Sequence, residues 1–407
     1  MADVGERPVV IVSNRGPLSF RKDESGQLVA GRGGGGLVTA LGPAVAGTGA
    51  TWVAAALSDA DREAAGDGVV ERDGFRWRSL LLDPDEYRAY YEVVSNAALW
   101  FLHHGLWDLP RRPRFDRHWR SAWESYRSVN AAFAAAVVEE APERAVVVVH
   151  DLHLALVPPA LATKRPDLEI VHFSHTPFCE PGALRVLPTA ASTELLEGMA
   201  VATCGFHAER WAANFEACCA EVGVTPPRTF VSAAAADPVD LARTAASDAC
   251  NSALRDLDDR VGGRLVIARV DRIELSKNLL RGFQAYEELL RSQPAWREKV
   301  VFVASVYPSR EGLAEYLAYR QEVEGLVARI NAEWATPTWT PILYDPRDDF
   351  PASHVTGDTA HCYDYIFATA DLNTESCEYL GDWLDRDKPN GRLSDHVPVV
   401  ANLSFGA

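Results

Sequence analysis

Residues 9–45 read VVIVSNRGPLSFRKDESGQLVAGRGGGGLVTALGPAV. Residues 9–12 are a short apolar run of buried-strand character, and 37–45 are apolar and Ala-rich enough for a helix. Between them stand Ser13, Asn14, Arg15 and the consecutive glycines Gly33 to Gly36. Glycines that end on a helix N-terminus leave backbone N–H groups bare, with no Cβ to hold an anion away. The plain alternative is a flexible surface turn, since the spacing is neither GxGxxG nor the Walker pattern. Arg15 tilts the reading. A guanidinium directly after a buried strand sits at the carboxyl edge of a sheet, where open α/β folds bind ligands, and it grips phosphate bidentately. A phosphorylated or nucleotide-linked ligand is expected.

At 407 residues the chain is too long for one ordinary core, so two domains are the default. Hydrophobic residues make up 47% and charged residues 24%, a soluble balance. No apolar run is long enough to cross a bilayer and the N-terminus lacks a signal pattern, so a cytoplasmic protein with no membrane partner is expected. A net charge of -17 repels phosphate over most of the surface, which argues against nucleic acid and makes any phosphate site local. The seven cysteines form no CxxC pair, pointing to reduced thiols rather than a disulfide frame or a zinc site. No metal or other cofactor is called for, and a homo-oligomer is compatible with the sequence.

Outward from the opening stretch, residues 51–57 and 75–82 read as strands, a helix starts near 83–85, and 117–140 is a long helix leading to the buried strand AVVVVHD. A helix, the strand EIVHFSH, the loop TPFCEPGALRVLP, helices near 192–202 and 208–221 and a strand near 229–232 follow. Alternation of this kind implies a doubly wound α/β domain. Residues 233–263 are Ala/Asp-rich and weakly patterned. A second α/β unit begins at RLVIARV, with a helix at 276–292, the strand KVVFVASV and a helix at 312–333. The expected architecture is two Rossmann-like lobes with a cleft between them. Its parts are an N-terminal domain at 1–235, a crossing at 236–262, a partial second domain at 263–344 and an atypical tail at 345–407.

Further clusters sit where strands hand over to loops, or on a helix beside that edge. YYEVVSNAALW carries Tyr91 and Trp100, which are core residues or a platform for a sugar face. Asp151 follows the VVVV strand; buried Asp needs partners, so it suits hydrogen bonds from sugar hydroxyls or general-base work. His150 and His153 have no evident third ligand for a metal. His175 ends the next strand, either as a core histidine satisfied by a carbonyl or as a site residue. ARVDRIELSKNL offers Arg269, Arg272 and Lys277 past a strand and at a helix opening, where charge and helix dipole act on one anion; a solvated helix start is the rival. Arg310 in VYPSRE again follows a strand, with an ordinary surface arginine as its rival.

These motifs, in this order, resemble the trehalose-6-phosphate synthase family, retaining glycosyltransferases of the GT-B fold. The resemblance spans residues 7–344 and rests on SNR, the Gly run before Leu37, YYxxxSNxxLW, HDxHL, FxHxPF, DRxxxSKN and PSR. SNRGPLSF, GATWVAAALSD and NAALWFLHHGLWDLPRRPRFDRHW look most like its actinobacterial branch. The resemblance implies transfer of glucose from a nucleoside-diphosphate glucose to glucose 6-phosphate. It also implies that Arg15 and Arg310 hold the acceptor's phosphate, that Tyr91, Trp100 and Asp151 line the acceptor sugar, and that Gly36 lies close to the donor phosphates. His175 would contact the donor glucose, and Arg272 with Lys277 would neutralise the departing diphosphate. Front-face retention of this kind needs neither a protein nucleophile nor a metal, because Arg and Lys supply the positive charge.

Past Tyr344 the family pattern is lost. The DGMNLVAKE-type segment that binds the donor's sugar and ribose in such enzymes has no counterpart, although Asn373 and Glu378 stand at a similar separation. HCYDYIFATADLNTESC and GRLSDHVPVVANLSF instead resemble the last strands of the endonuclease/exonuclease/phosphatase superfamily, with His396, Asp395 and Asp364 in its positions. Some sixty residues cannot rebuild that superfamily's sandwich, so phosphodiesterase activity is not expected. A compromised second lobe and weak or absent transferase turnover are. The alternatives are a pseudo-glycosyltransferase acting on cyclitol substrates and an inactive sugar-phosphate-binding module.

Overall fold

A computed structural model of the protein describes residues 7–23, 25–33, 36–66, 68–107, 112–234, 238–346, 372–379 and 399–405. The chain forms two compact units, Met1–Ala236 and Asp237–Ala407.

The strands of the first unit are β1 (Val9–Val12), β2 (Leu18–Lys22), β3 (Leu28–Arg32), β4 (Thr51–Ala55), β5 (Val69–Arg72), β6 (Phe75–Leu80), β7 (Val146–His150), β8 (Glu169–Ser174), β9 (Thr203–Phe206) and β10 (Thr229–Val231). β2 and β3 pair as an antiparallel hairpin; the other eight form one sheet in the order β10, β9, β8, β7, β1, β4, β6, β5. All neighbours in it run parallel except β5, which is antiparallel to β6. Val10, Val12 and Val53 bury into one core and Ile11, Trp52 and Ala54 into another on the opposite face. Burial on both faces is what a continuous apolar strand sequence encodes. From β1 the chain moves to β4 on one side and later lays β7 on the other, so the strand order reverses at β1 and β7. In open α/β sheets a ligand crevice opens at the carboxyl ends of such a pair.

Three local features differ from the sequence reading. The segment after Arg15 is a hairpin: Asp23 Oδ1 accepts from Ser25 N (2.9 Å) and Gln27 N (2.9 Å), and Gly26 takes φ +80°, closing the turn between β2 and β3. The first of the four glycines serves this hairpin rather than an anion. Gly33 N–H donates to Pro17 O at 2.8 Å, and a Cβ there would lie 2.2 Å from Gly16 O. Gly36 opens the helix Gly36–Val45, and Gly34 and Gly35 lie outside the described residues. The weakly patterned stretch after β10 contains two helices, Pro238–Ala245 and Asp248–Val261. The second is capped by Ser247, whose hydroxyl accepts from Cys250 N, and ends at Gly262 in the left-handed conformation.

The most consequential difference lies in YYEVVSNAALW. Pro84–Arg88 starts as an α-helix, but Ala89–Trp100 is a π-helix before α geometry returns at Phe101–His104. Nine residues separate Tyr91 from Trp100; in an α-helix that is two and a half turns, opposite faces. With i→i+5 bonding a turn takes roughly four and a half residues, so nine residues make two turns. The π stretch therefore sets both aromatics on one face.

The second unit holds a parallel sheet in the order β11 (Leu265–Ile273), β12 (Val300–Pro308), β13 (Ile342–Pro346). Helices Leu279–Ser292 and Ala314–Trp334 pack Phe283, Leu290, Val323 and Ile330 against Phe302, Ala304 and Ile342. β14 (Leu372–Tyr379) and β15 (Val399–Phe405) form an antiparallel pair with an irregularity between Thr374 and Ser376. Asn373 and Glu378 lie in β14, while Asp364, Asp395 and His396 lie outside the described residues.

Candidate active site

At the carboxyl edge of the first sheet, β1 delivers Asn14 and Arg15, β7 delivers Asp151, β8 delivers His175 and β9 delivers His207. Asn14 is buried: its Nδ2 donates to Tyr87 Oη (2.9 Å) and its Oδ1 accepts from Tyr90 Oη (3.1 Å). Arg15, the next residue, is exposed at the strand end.

Asp151 adopts φ +69°, a conformation that is costly for a residue with a Cβ and persists only when its surroundings over-determine it. They do. Tyr126 Oη, from the helix Arg117–Glu140, donates to Leu152 O (2.6 Å), and Asn130 of the same helix donates to His153 O (3.1 Å) and accepts from Leu156 N (3.0 Å). Beneath, His172 Nε2 lies 3.2 Å from Asp151 O. Asp151 Oδ1 accepts from His175 N (3.2 Å), Thr176 N (3.1 Å) and Thr176 Oγ1 (2.8 Å), while Oδ2 faces His153 Nδ1 at 3.8 Å. Burial alone would raise the Asp151 carboxyl; the imidazoles of His153 and His175 and the Thr176 donors outweigh it and hold it well below the carboxylate range. A carboxylate with so low an affinity for protons suits acceptance of hydrogen bonds better than general-base work.

Tyr91 stacks on His153 (centroids 5.6 Å apart, planes at 18°) and on Tyr87 (5.5 Å, 15°), making an aromatic wall beside Asp151. Trp100 stacks on His104 at 3.9 Å. His175 is not a core histidine satisfied by a carbonyl. Its Nε2 lies 3.0 Å from His150 Nδ1 and its Nδ1 lies 3.1 Å from His207 Nε2. His207 Nδ1 in turn meets Ser232 O (3.1 Å) and Ala234 N (3.1 Å). Burial pushes His175 down to about 4, so at neutral pH these are uncharged rings passing hydrogen bonds in series. Among the described residues no three or more of His, Cys, Asp and Glu are grouped to hold a metal.

The second unit carries the cations. Arg272 lies near the end of β11, opposite Tyr307 of β12, and Arg310 lies two residues past β12 with φ +48°. Both reach one carboxylate oxygen: Arg272 Nη2 and Arg310 Nη1 each lie 2.9 Å from Glu274 Oε2. Ser276 Oγ donates to Glu274 Oε1 (2.8 Å). Asp271 pairs with Arg269 (3.0 Å) and faces Lys277 Nζ at 3.9 Å, and Arg269 also donates to Lys277 O. Four cations and two carboxylates are gathered at these strand ends, a grouping that suits an anion. Asp271 and Glu274, which organise the cations, were not read as site residues from sequence; the alternation of acid and arginine along residues 269–274 was the available signal.

Two Rossmann-like units, one offering a carboxylate beside aromatic rings and the other fixed cations at strand ends, are the parts of a GT-B glycosyltransferase. The chain belongs to glycosyltransferase family 20, whose sequence profile matches residues 7–355. It is 31% identical over 383 residues to the trehalose-6-phosphate synthase of Mycobacterium sp. (strain JLS), covering 87% of this chain and 76% of that protein. An α,α-trehalose-phosphate synthase (UDP-forming) from Burkholderia xenovorans, solved in complex with glucose-6-phosphate, superposes with TM-score 0.71 at 27% identity, over 85% of this chain and 76% of the other. The structure described as trehalose-6-phosphate from E. coli bound with UDP-2-fluoro glucose gives TM-score 0.71 at 25% identity, over 84% and 74%. The profile runs some ten residues past Tyr344, where the sequence reading placed the end of the likeness.

Proposed function

We propose that the chain moves glucose from a nucleoside-diphosphate glucose onto glucose 6-phosphate, giving trehalose 6-phosphate with retention at the anomeric carbon. The observation that carries this reading is Asp151: an ionised carboxylate held at the strand-order reversal, its Oδ1 saturated by three donors and its Oδ2 turned to the aromatic side. Such an oxygen accepts from sugar hydroxyls, with Tyr91 and Trp100 on one helix face as the apolar partner of the ring. Arg15 and Arg310 bind the acceptor's phosphate. Gly36, at a helix N-terminus, lies by the donor phosphates. Arg272 and Lys277 stabilise charge as it develops on the departing diphosphate, whose oxygen takes the acceptor's hydroxyl proton, so the residues act electrostatically. His175 contacts the donor glucose. Both its ring nitrogens have partners, so this contact replaces one link of the imidazole series, and the half-buried His207 is the end that can yield.

The test is release of nucleoside diphosphate and formation of trehalose 6-phosphate when the purified full chain meets UDP- or GDP-glucose with glucose 6-phosphate. Release that needs glucose 6-phosphate is the expected result. Calorimetric binding of glucose 6-phosphate with no release from either donor would replace this reading by a sugar-phosphate-binding module.

A further inference from the structure

The two arginines assigned to different phosphates are not independent. Arg272 and Arg310 come from the ends of adjacent strands and meet on the same atom, Glu274 Oε2, at 2.9 Å each. Glu274 has no exposed surface, whereas the Arg272 side chain is 30% exposed, so the carboxylate lies behind the cations. Its rotation is fixed from the other side by the Ser276 hydroxyl on Oε1 at 2.8 Å. Arg310 is steadied further by Tyr316, whose hydroxyl lies 3.3 Å from Nη1 and whose ring centre lies 5.6 Å from Cζ.

A guanidinium has five N–H donors in a rigid plane. A bond to Glu274 fixes the plane of each guanidinium from behind. Without that anchor each long side chain would have to be ordered by its own ligand, at a cost in affinity. Building on the roles assigned above, we propose that Glu274 is the positioning residue of both anion sites, holding the donor-diphosphate arginine and the acceptor-phosphate arginine through one oxygen, so that loss of its charge weakens both ligands together. A residue important only for folding would lower stability and leave both affinities in the surviving protein unchanged.

The experiment titrates UDP and glucose 6-phosphate separately by calorimetry into the full chain and three variants. Arg272→Gln should weaken UDP, Arg310→Gln should weaken glucose 6-phosphate, and Glu274→Gln should weaken both, each by about tenfold or more. If the two arginine variants bind both ligands as the unaltered protein does, the assignment of the arginines fails. If they behave as expected while Glu274→Gln leaves either ligand within about twofold, the Glu274 proposal fails on its own. Removing a buried charge beside two cations carries a risk of unfolding. Should Glu274→Gln not fold, Ser276→Ala keeps the charge and removes only the hydroxyl that orients it. It should weaken UDP and glucose 6-phosphate by similar, few-fold factors, and a loss confined to one ligand, or none, overturns the proposal.

Discussion

Each unit keeps a carboxylate at the carboxyl ends of its strands, half-buried in Asp151 and fully buried in Glu274, and the two are held in opposite senses. Asp151 Oδ1 is gripped by donors that carry no charge, the Thr176 hydroxyl and two backbone N–H groups, and its Oδ2 faces the His153 ring. Glu274 is gripped by two guanidiniums, so its charge is spent on holding cations. In the function proposed above, one carboxylate recognises hydroxyls and the other arranges cations that recognise phosphate. The chemistry of a carboxyl group here depends on whether its neighbours are neutral or charged.

The largest effect should come from breaking the cationic side. Arg272→Ala combined with Lys277→Ala should lower glucosyl transfer by about a thousandfold or more, the scale of losing preorganised charge at a departing group. Acceptor titration should change little, because Arg15 and Asp151 are untouched. Unchanged transfer in a nucleoside diphosphate release assay would remove both residues from the mechanism. Next comes Asp151→Asn, chosen because Asn tolerates positive φ and keeps the shape. Loss of charge-assisted hydrogen bonds to the acceptor should cost 10- to 100-fold in acceptor kcat/KM, for about 1.5–3 kcal/mol. An equal loss in donor affinity would show that Asp151 does not distinguish the two ligands.

Acid sharpens the contrast between the units. Every histidine among the described residues lies in the first unit. Burial holds His172 and His175 at about 4 and His103 at about 3, against an ordinary 6.5. Below pH 6.5 the unfolded chain takes up protons that the folded unit refuses until about pH 4, so these groups destabilise the fold as pH falls through that window. Each contributes a slope of up to about 1.4 kcal/mol per pH unit. Stability from denaturant midpoints should be flat above about pH 7.5 and fall steeply from 6.5 to 4. His175→Gln should make that fall shallower; an unchanged slope would mean that the buried imidazoles do not set it.

What sequence could and could not reveal follows from the range of the interactions. Apolar runs such as VVIV and VVVV announce buried parallel strands, and a polar residue at the end of such a run is at a sheet edge by construction, which is why Arg15, Asp151 and His175 stood out. The His150, His175, His207 series needs β7, β8 and β9 to be neighbours, and strand order is not written in local periodicity. Glu274 reads as an ordinary acidic residue until its full burial is known. Gly33 looked like part of a phosphate cradle because the contact that demands it, with Gly16 O, is made by a hairpin whose turn is polar and unremarkable in pattern. The π stretch was hidden for a related reason: an apolar pattern distinguishes helix from strand far better than one helical pitch from another.

That stretch carries the smallest prediction, and the most specific to the hydroxyl-recognising side. Ser95 is fully buried in the π-helix and its Oγ donates to Tyr90 O at 2.9 Å, five residues back, the span of the π turn itself. The bond ties the turn that carries Tyr91 to the next one, and so helps keep Tyr91 and Trp100 two turns apart on one face. Ser95→Ala should lower stability by about 1 kcal/mol, the usual worth of one hydrogen bond, and raise the acceptor KM a few-fold as the two rings lose register. The donor KM should not move, because the cations of the second unit are not served by this helix. If donor and acceptor KM rise together, the widened helix is a packing feature of the first unit and not part of how it holds a sugar.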